Sequence, residues 1–131
     1  HVILVNHSTL GGHVTIHDHA VVSAFVAIHQ FCTIGTSCFL TKGCMVTKDV
    51  IPYMTVTGEP PRVRGLNKVG LARRGFSAED LSVIKEIYKI LFMRDILIEE
   101  AQEALIELAK KSPIVQPALD LLQQSSRGII R

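Results

Sequence analysis

Six histidines, His1, His7, His13, His17, His19 and His29, all fall within the first 29 residues. An imidazole titrates near neutrality, so a pair of them beside an amide can hold a polar ligand and pass a proton. His13 and His29 form the pair of interest, because Gly11 and Gly12 precede the first and Gln30 follows the second. Two solvated corner histidines account for the same spacing. His17-Asp18-His19 resembles a metal triplet, but it sits where a turn is expected and no closing ligand follows at zinc spacing. A second group is basic. Arg62, Arg64, Lys68, Arg73 and Arg74 lie between Pro60 and Ala78 with no acidic residue among them, and Asn67 sits in their midst. Guanidinium forks take phosphate oxygens two at a time, so Arg73-Arg74 near a helix start suits a phosphate or diphosphate. An ordinary solvated basic loop, or one that pairs with Glu and Asp of a neighbouring subunit, is the alternative.

A six-residue repeat must position the histidines. Leu4, Leu10, Ile16, Val22, Ile28, Ile34, Leu40 and Val46 are aliphatic at a spacing of six, and two residues before each stands a small or moderate side chain. No helix has that period, whereas a chain that bends after every hexapeptide does. Three short strands then make one coil of 18 residues, and the coils stack as parallel sheets. Residues 18 apart lie one strand spacing apart, about 4.8 Å. His29 therefore falls beside Gly11, and His13 stacks on Phe31. Cys32, Cys38 and Cys44 occupy the small position and serve as core filler. Gly11, Gly35 and Gly43 fall near expected corners, where a positive φ would be cheap. Fewer than three coils are present, so an open near end is expected, with the far end capped by whatever follows Val50. The chain opens on His1 inside a repeat, which reads as a fragment.

The remainder divides differently. Residues 1–51 are the coils, 52–76 are expected to be a loop with basic residues, and 77–131 a helical domain. Pro52, Gly58, Pro60, Pro61, Gly65 and Gly70 mark the loop. Ser77 with Asp80 resembles a capping box ahead of Leu81, Ile84, Tyr88 and Leu91 at helical spacing. A second helix is expected near 97–110, with Ile98, Ala101, Leu105 and Leu108 on one face. Ser112-Pro113 starts a third, with Pro117 arguing for a later true start, an apolar stripe of Ile114, Ala118, Leu121 and Leu122, and Gly128 as its end.

Composition removes several classes. Of 131 residues, 47% are apolar and 20% charged, which supports a packed core rather than disorder. A net charge of +2, 5% aromatics and no Trp give no nucleic-acid footprint. No apolar run is long enough to span a membrane. An odd number of cysteines in one short stretch fits a reducing compartment. No Gly-x-Ser-x-Gly, phosphate-loop or dinucleotide fingerprint occurs.

Three stretches and the terminus are more specific: Leu10-Gly11-Gly12-His13-Val14, Val26 through Cys32, Gly70 through Ser77, and Ser126-Arg127-Gly128-Ile129-Ile130-Arg131. Over its whole length the chain resembles the C-terminal half of the acyl-carrier-protein–UDP-N-acetylglucosamine O-acyltransferases. The resemblance implies a left-handed parallel β-helix followed by a C-terminal α-helical domain. It also implies a cytoplasmic homotrimer that starts lipid A synthesis, with acyl carrier protein and a UDP-sugar as partners and no metal or organic cofactor. It gives His13 a supporting part in the active site, and brings His29 and Gln30 to the sugar nucleotide. It places Asn67, Arg73 and Arg74 near the diphosphate and uridine, across a subunit interface. The family's general base is a histidine on an earlier coil, and neither His1 nor His7 falls in its place. Lys42 stands where a glycine often sets acyl-pocket depth, and Val69 where an acidic residue is common. Lys85, Lys89, Arg94, Lys110 and Lys111 are candidates for drawing in an acidic carrier protein. A non-catalytic trimerisation or binding module, and a same-fold acyltransferase with another acceptor, are the rival readings.

Overall fold

The computed structural model describes all 131 residues. Eight two-residue strands recur every six positions: β1 Ile3–Leu4, β2 Thr9–Leu10, β3 Thr15–Ile16, β4 Val21–Val22, β5 Ala27–Ile28, β6 Thr33–Ile34, β7 Phe39–Leu40 and β8 Met45–Val46. β1 to β5 each pair in parallel with the strand three places on, Ile3 with Val21, Thr9 with Ala27 and Thr15 with Thr33, which fixes the coil at 18 residues. The second residue of each strand points inward. Val22, Ile28, Ile34, Leu40 and Val46 are at most 3% exposed, and the small-position residues Ala20, Val26, Cys32, Cys38 and Cys44 at most 1%. Leu4 and Leu10 keep the register and are 50% and 39% exposed, on the coil that no other coil of these 131 residues overlies.

The corners differ from the expectation. One residue per corner is left-handed: His7, His13, His19, Phe25, Phe31 and Ser37, with φ of 57–67°, then Gly43 at 77°. Gly43 alone of the three expected glycines belongs to this series. Gly11 and Gly35 have ordinary φ, and their role is close approach. A Cβ on Gly11 would lie 2.4 Å from the Gln30 nitrogen, and one on Gly35 2.4 Å from that of Pro52. Left-handed corners aim rings along the stack, so His1 lies over His19, His7 over Phe25 and His13 over Phe31, each at 5.0 Å between centroids.

The segment 52–76 is not the loop expected. It holds β9 Met54–Thr57, β10 Arg62–Leu66 and the short helix α1 Lys68–Arg73. β9 pairs in parallel with β7 and β10 antiparallel with β9, extending one face of the solenoid to the order β1-β4-β7-β9-β10. Met54 and Val56 are buried between half-exposed Thr55 and Thr57, a period-2 pattern that outweighs the surrounding prolines. Pro60 and Pro61 lie in the hairpin turn, where no ladder N–H is needed.

Helix α2 runs Ala78–Tyr88 behind the expected capping box: Ser77 Oγ accepts from the Asp80 N–H at 3.0 Å, and the Asp80 carboxylate accepts from the Ser77 N–H at 3.1 Å. It continues as one π-helical turn, Lys89–Met93, which buries Ile90 and Leu91. Helix α3 spans Ile98–Ala109, and Ser112 caps a 3-10 turn, Pro113–Val115, leading into α4, Gln116–Gln124. Pro117 is tolerated in the first turn of α4, where an N–H would lack a partner anyway. Gly128 does not end α4, which stops four residues earlier. At φ +83° it turns the tail back onto the last coil, where Asp49 pairs with Ile129. The apolar faces of α1 to α4 join the solenoid interior in one core. Ser37, Asp49 and Asn67 are the polar side chains buried with it.

Candidate functional site

The residues singled out above occupy two surfaces. The first is the corner between the face of β2, β5 and β8 and the face of β3 and β6. His13 follows β2, and His29 and Gln30 follow β5 one coil on. The Gly11 N–H donates to the Ile28 carbonyl at 2.8 Å and the Phe31 N–H to the Gly12 carbonyl at 3.0 Å, so the two corners are locked layer on layer. His29 is itself pinned by its N–H to the Val46 carbonyl at 2.8 Å. Its Nδ1 lies 3.0 Å from the Gln30 carbonyl, so Nδ1 is the donor there, and in the neutral ring Nε2 is the acceptor. His13, His29 and Gln30 are all exposed, and the His13 ring is held within 4° of parallel to Phe31. An imidazole acceptor, an amide and a second, oriented imidazole can bind hydroxyl and amide groups of a polar ligand.

The second surface is the five-stranded face beside α1. Outward residues Ile3, Val21, Phe39 and Thr55 floor a groove of 590 Å3, walled by the stretch from Leu66 to Gly70 and by Arg73. The three polar residues expected here divide. Asn67 caps α1, its Oδ1 accepting from the Gly70 N–H at 3.2 Å and its Nδ2 donating to the Ser37 carbonyl at 3.1 Å. Arg74 donates through Nη1 to Ser37 Oγ, and its guanidinium lies 5.4 Å from the Phe76 ring centre. Arg73 is exposed, and neither of the two ion pairs in the chain involves it. Of the three, it is therefore the side chain left free to meet an anion. Ser37 receives both neighbours, and only its place in the corner series, six residues after Phe31, could have drawn attention to it.

Lys42 is exposed on a coil turn next to Gly43, and Val69 is 62% exposed on α1. His17, Asp18 and His19 lie on a coil turn as expected, and no three His, Cys, Asp or Glu side chains converge. The cysteines are buried and free. Burial pushes the Cys38 thiol up to about 12, and its Sγ donates to the Ile51 carbonyl at 2.9 Å. Burial raises Cys32 and Cys44 too, so none is poised as a nucleophile.

In a triangular prism, the corner that carries His29 is the one opposite the five-stranded face. The two surfaces thus look away from each other within one chain.

Stacked hexapeptide coils sealed by a helical tail are the architecture of the β-solenoid acyltransferases. Residues 49–130 match the family described as UDP N-acetylglucosamine O-acyltransferase, domain 2, and the chain belongs to that family. It is 41% identical over all 131 residues to the acyl-[acyl-carrier-protein]–UDP-N-acetylglucosamine O-acyltransferase of Ectopseudomonas mendocina (strain ymp), covering 51% of that protein. The enzyme of the same name from Thiobacillus denitrificans is 47% identical over 83 residues, 63% of this chain and 32% of that one. Among solved structures, the Francisella novicida UDP-N-acetylglucosamine acyltransferase superposes with a TM-score of 0.97 at 41% identity, over 99% of this chain and 48% of that one. The Arabidopsis enzyme gives 0.89 at 33% identity, over 99% of this chain and 49% of that one. The chain spans about half the length of the relatives it matches end to end.

Proposed function

We propose that a protein built on this chain moves a 3-hydroxyacyl group from acyl carrier protein to the 3-position of UDP-N-acetylglucosamine or its 3-amino analogue, the first step of lipid A synthesis, in the cytoplasm. One observation carries the reading: the match to a relative named for this reaction runs through both the histidine corner and the arginine groove, over all 131 residues. In this reading His29 and Gln30 hold the sugar, and Arg73 takes the diphosphate, with Asn67 and Arg74 fixing α1 beside the uridine. His13 supports the site and Lys42 sets how deep an acyl chain can reach.

Corner and groove face opposite ways, so a complete site forms between copies of the chain, as in a homotrimer. The acceptor oxygen, or the nitrogen of the 3-amino analogue, attacks the thioester carbonyl, a C–O or C–N bond forms and the C–S bond breaks. The acceptor proton passes through a histidine base on an earlier coil to the departing thiolate. Orientation of the bound sugar nucleotide supplies much of the rate, and the step asks for no metal or organic cofactor.

Mass spectrometry of full-length protein with UDP-N-acetylglucosamine and a series of 3-hydroxyacyl carrier proteins tests the proposal. An O-acylated sugar nucleotide is expected. Acylation of an acceptor other than these two UDP-sugars would move the protein to another acceptor class. No product from any donor would leave a non-catalytic solenoid.

A further inference from the structure

Ser37 differs in kind from the left-handed corners that precede it. His7, His13, His19, Phe25 and Phe31 carry rings and all reach solvent. Ser37 shares their conformation, with φ of 57°, but it is 2% exposed and bears a hydroxyl. Its place is fixed by the coils on either side. The Ser37 N–H donates to the Asp18 carbonyl at 3.0 Å, and the Thr36 carbonyl accepts from the Tyr53 N–H at 2.9 Å. From that fixed point one residue holds both ends of α1. Its carbonyl accepts from Asn67 Nδ2 at 3.1 Å where the helix begins, and its Oγ accepts from Arg74 Nη1 where the helix ends. Phe39, two residues further along, lies in the floor of the groove that α1 walls, so one stretch of chain places both.

We propose that Ser37 is a positioning residue: through its hydroxyl and Arg74 it fixes the last turn of α1, and so the aim of Arg73 at the diphosphate. The proposal rests on the reading above that a UDP-sugar binds in this groove. Arg73 is exposed and enters no ion pair, so the turn that carries it is what steers it. A helix of six residues does not hold its own last turn. Asn67 secures the first turn only, and Leu71 is the one side chain of α1 that is buried. Phe76 gives the Arg74 guanidinium a ring face at 5.4 Å, and Tyr53 braces that ring edge-on at 6.1 Å. A ring face restrains the guanidinium in one direction, whereas the directional bond to Oγ also fixes its rotation.

The test uses full-length protein with Ser37→Ala, Ser37→Gly, Arg74→Ala and the double variant Ser37→Ala with Arg74→Ala. Both changes at Ser37 keep the carbonyl that holds Asn67 and delete the hydroxyl that holds Arg74. Glycine suits a φ of 57° better than alanine, so it relieves the corner without restoring the bond. In both, KM for UDP-N-acetylglucosamine is expected to rise about five- to tenfold while kcat stays within about twofold. Hydrogen exchange should quicken at the amides of Arg74, Gly75 and Phe76, which close the end of α1, and stay slow in the coils. In the Arg74→Ala background, Ser37→Ala should add nothing to KM. Recovery of the parent KM in Ser37→Gly would make Ser37 a matter of corner conformation and overturn the proposal. An unchanged KM in Ser37→Ala with quicker exchange would overturn it too, since the tether would exist without being felt by the substrate. So would KM losses that multiply in the double variant. If the parent neither turns over nor is protected by UDP-N-acetylglucosamine, the functional reading fails first, and the positioning role falls with it.

Discussion

Asn67 Nδ2 donates to the main-chain carbonyl of Ser37 at 3.1 Å, so the first turn of α1 hangs from a solenoid corner. Six residues are too few for a helix to hold itself, and α1 depends on this tether and on the buried Leu71. The other atom of the same amide caps Gly70. Asn67→Ala removes both bonds and strands a buried carbonyl, so a loss of about 1–3 kcal/mol is expected. Urea unfolding of the full-length protein reads it. A variant within experimental error of the parent would mean that α1 is held by apolar packing alone.

Gly11→Ala should be costly although its backbone is unstrained. The added methyl would meet the Gln30 nitrogen at 2.4 Å and its Cα at 2.7 Å, both main-chain atoms that the next coil fixes. Overpacking of this kind costs about 1–3 kcal/mol, and relief must come from lifting the His29–Gln30 segment. A lower melting temperature and a raised KM for the UDP-sugar are expected together. Gly12→Ala, with nothing within 4 Å of its Cβ, should do neither.

Those two glycines mark where the sequence was and was not legible. The hexad was readable because an aliphatic every sixth residue has one geometric solution, and Val22 through Val46 are buried as it requires. The corner conformation was not, since Phe and Ser carry no left-handed signature, His only a weak one, and Gly43 alone a strong one. Gly11 and Gly35 looked like turn glycines because close approach across coils is a property of the stack, invisible along the chain. The hairpin of β9 and β10 was hidden by Pro and Gly density, although Met54-Thr55-Val56-Thr57 alternates openly. The capping box at Ser77 and Asp80 was local and came through. Asn67 and Arg74 were grouped with Arg73 by charge and neighbourhood. Their tie to Ser37, 30 and 37 residues away, needed the fold.

Asp49 engages every polar atom it has, one to the preceding coil and three to the tail. Its carboxylate accepts from the Thr33 N–H and the Ser125 hydroxyl, its N–H donates to the Gly128 carbonyl, and its carbonyl accepts from the Ile130 N–H. It is 4% exposed, so its removal leaves buried donors unpaired. Asp49→Ala should cost about 2–3 kcal/mol. Limited proteolysis should then cut after α4, near Arg127, before the coils are touched. Uniform digestion of the variant would show that the tail is not a separable clamp.

Stability should fall on the alkaline side. Burial holds the Cys38 thiol at about 12 in the folded chain against 9.0 when exposed, and raises Tyr53 from 10.0 to about 12. Between those values the unfolded chain has lost protons that the folded chain keeps, so folding loses free energy as pH rises. The contribution is whole below about pH 9 and is lost as pH climbs toward 12. Urea midpoints should hold level to about pH 9 and then decline, with a shallower decline in Cys38→Ala. Equal slopes in parent and variant would remove the thiol from the account.

Adjacent arginines offer the sharpest separation of fold from function. Arg74 is tied to Ser37 Oγ and stacked on Phe76, whereas Arg73 projects over the apolar groove with no internal partner. Arg73→Ala should leave the melting temperature of the free protein unchanged while thermal protection by UDP-N-acetylglucosamine shrinks, since one charge-assisted bond to a diphosphate is worth about 1.5–3 kcal/mol. Arg74→Ala should lower the melting temperature of the free protein as well, because it releases the end of α1. If both variants lose only ligand protection, Arg74 meets the ligand directly and its bond to Ser37 is incidental. Loss of melting temperature in Arg73→Ala would instead make that residue part of the scaffold, and the diphosphate would need another partner.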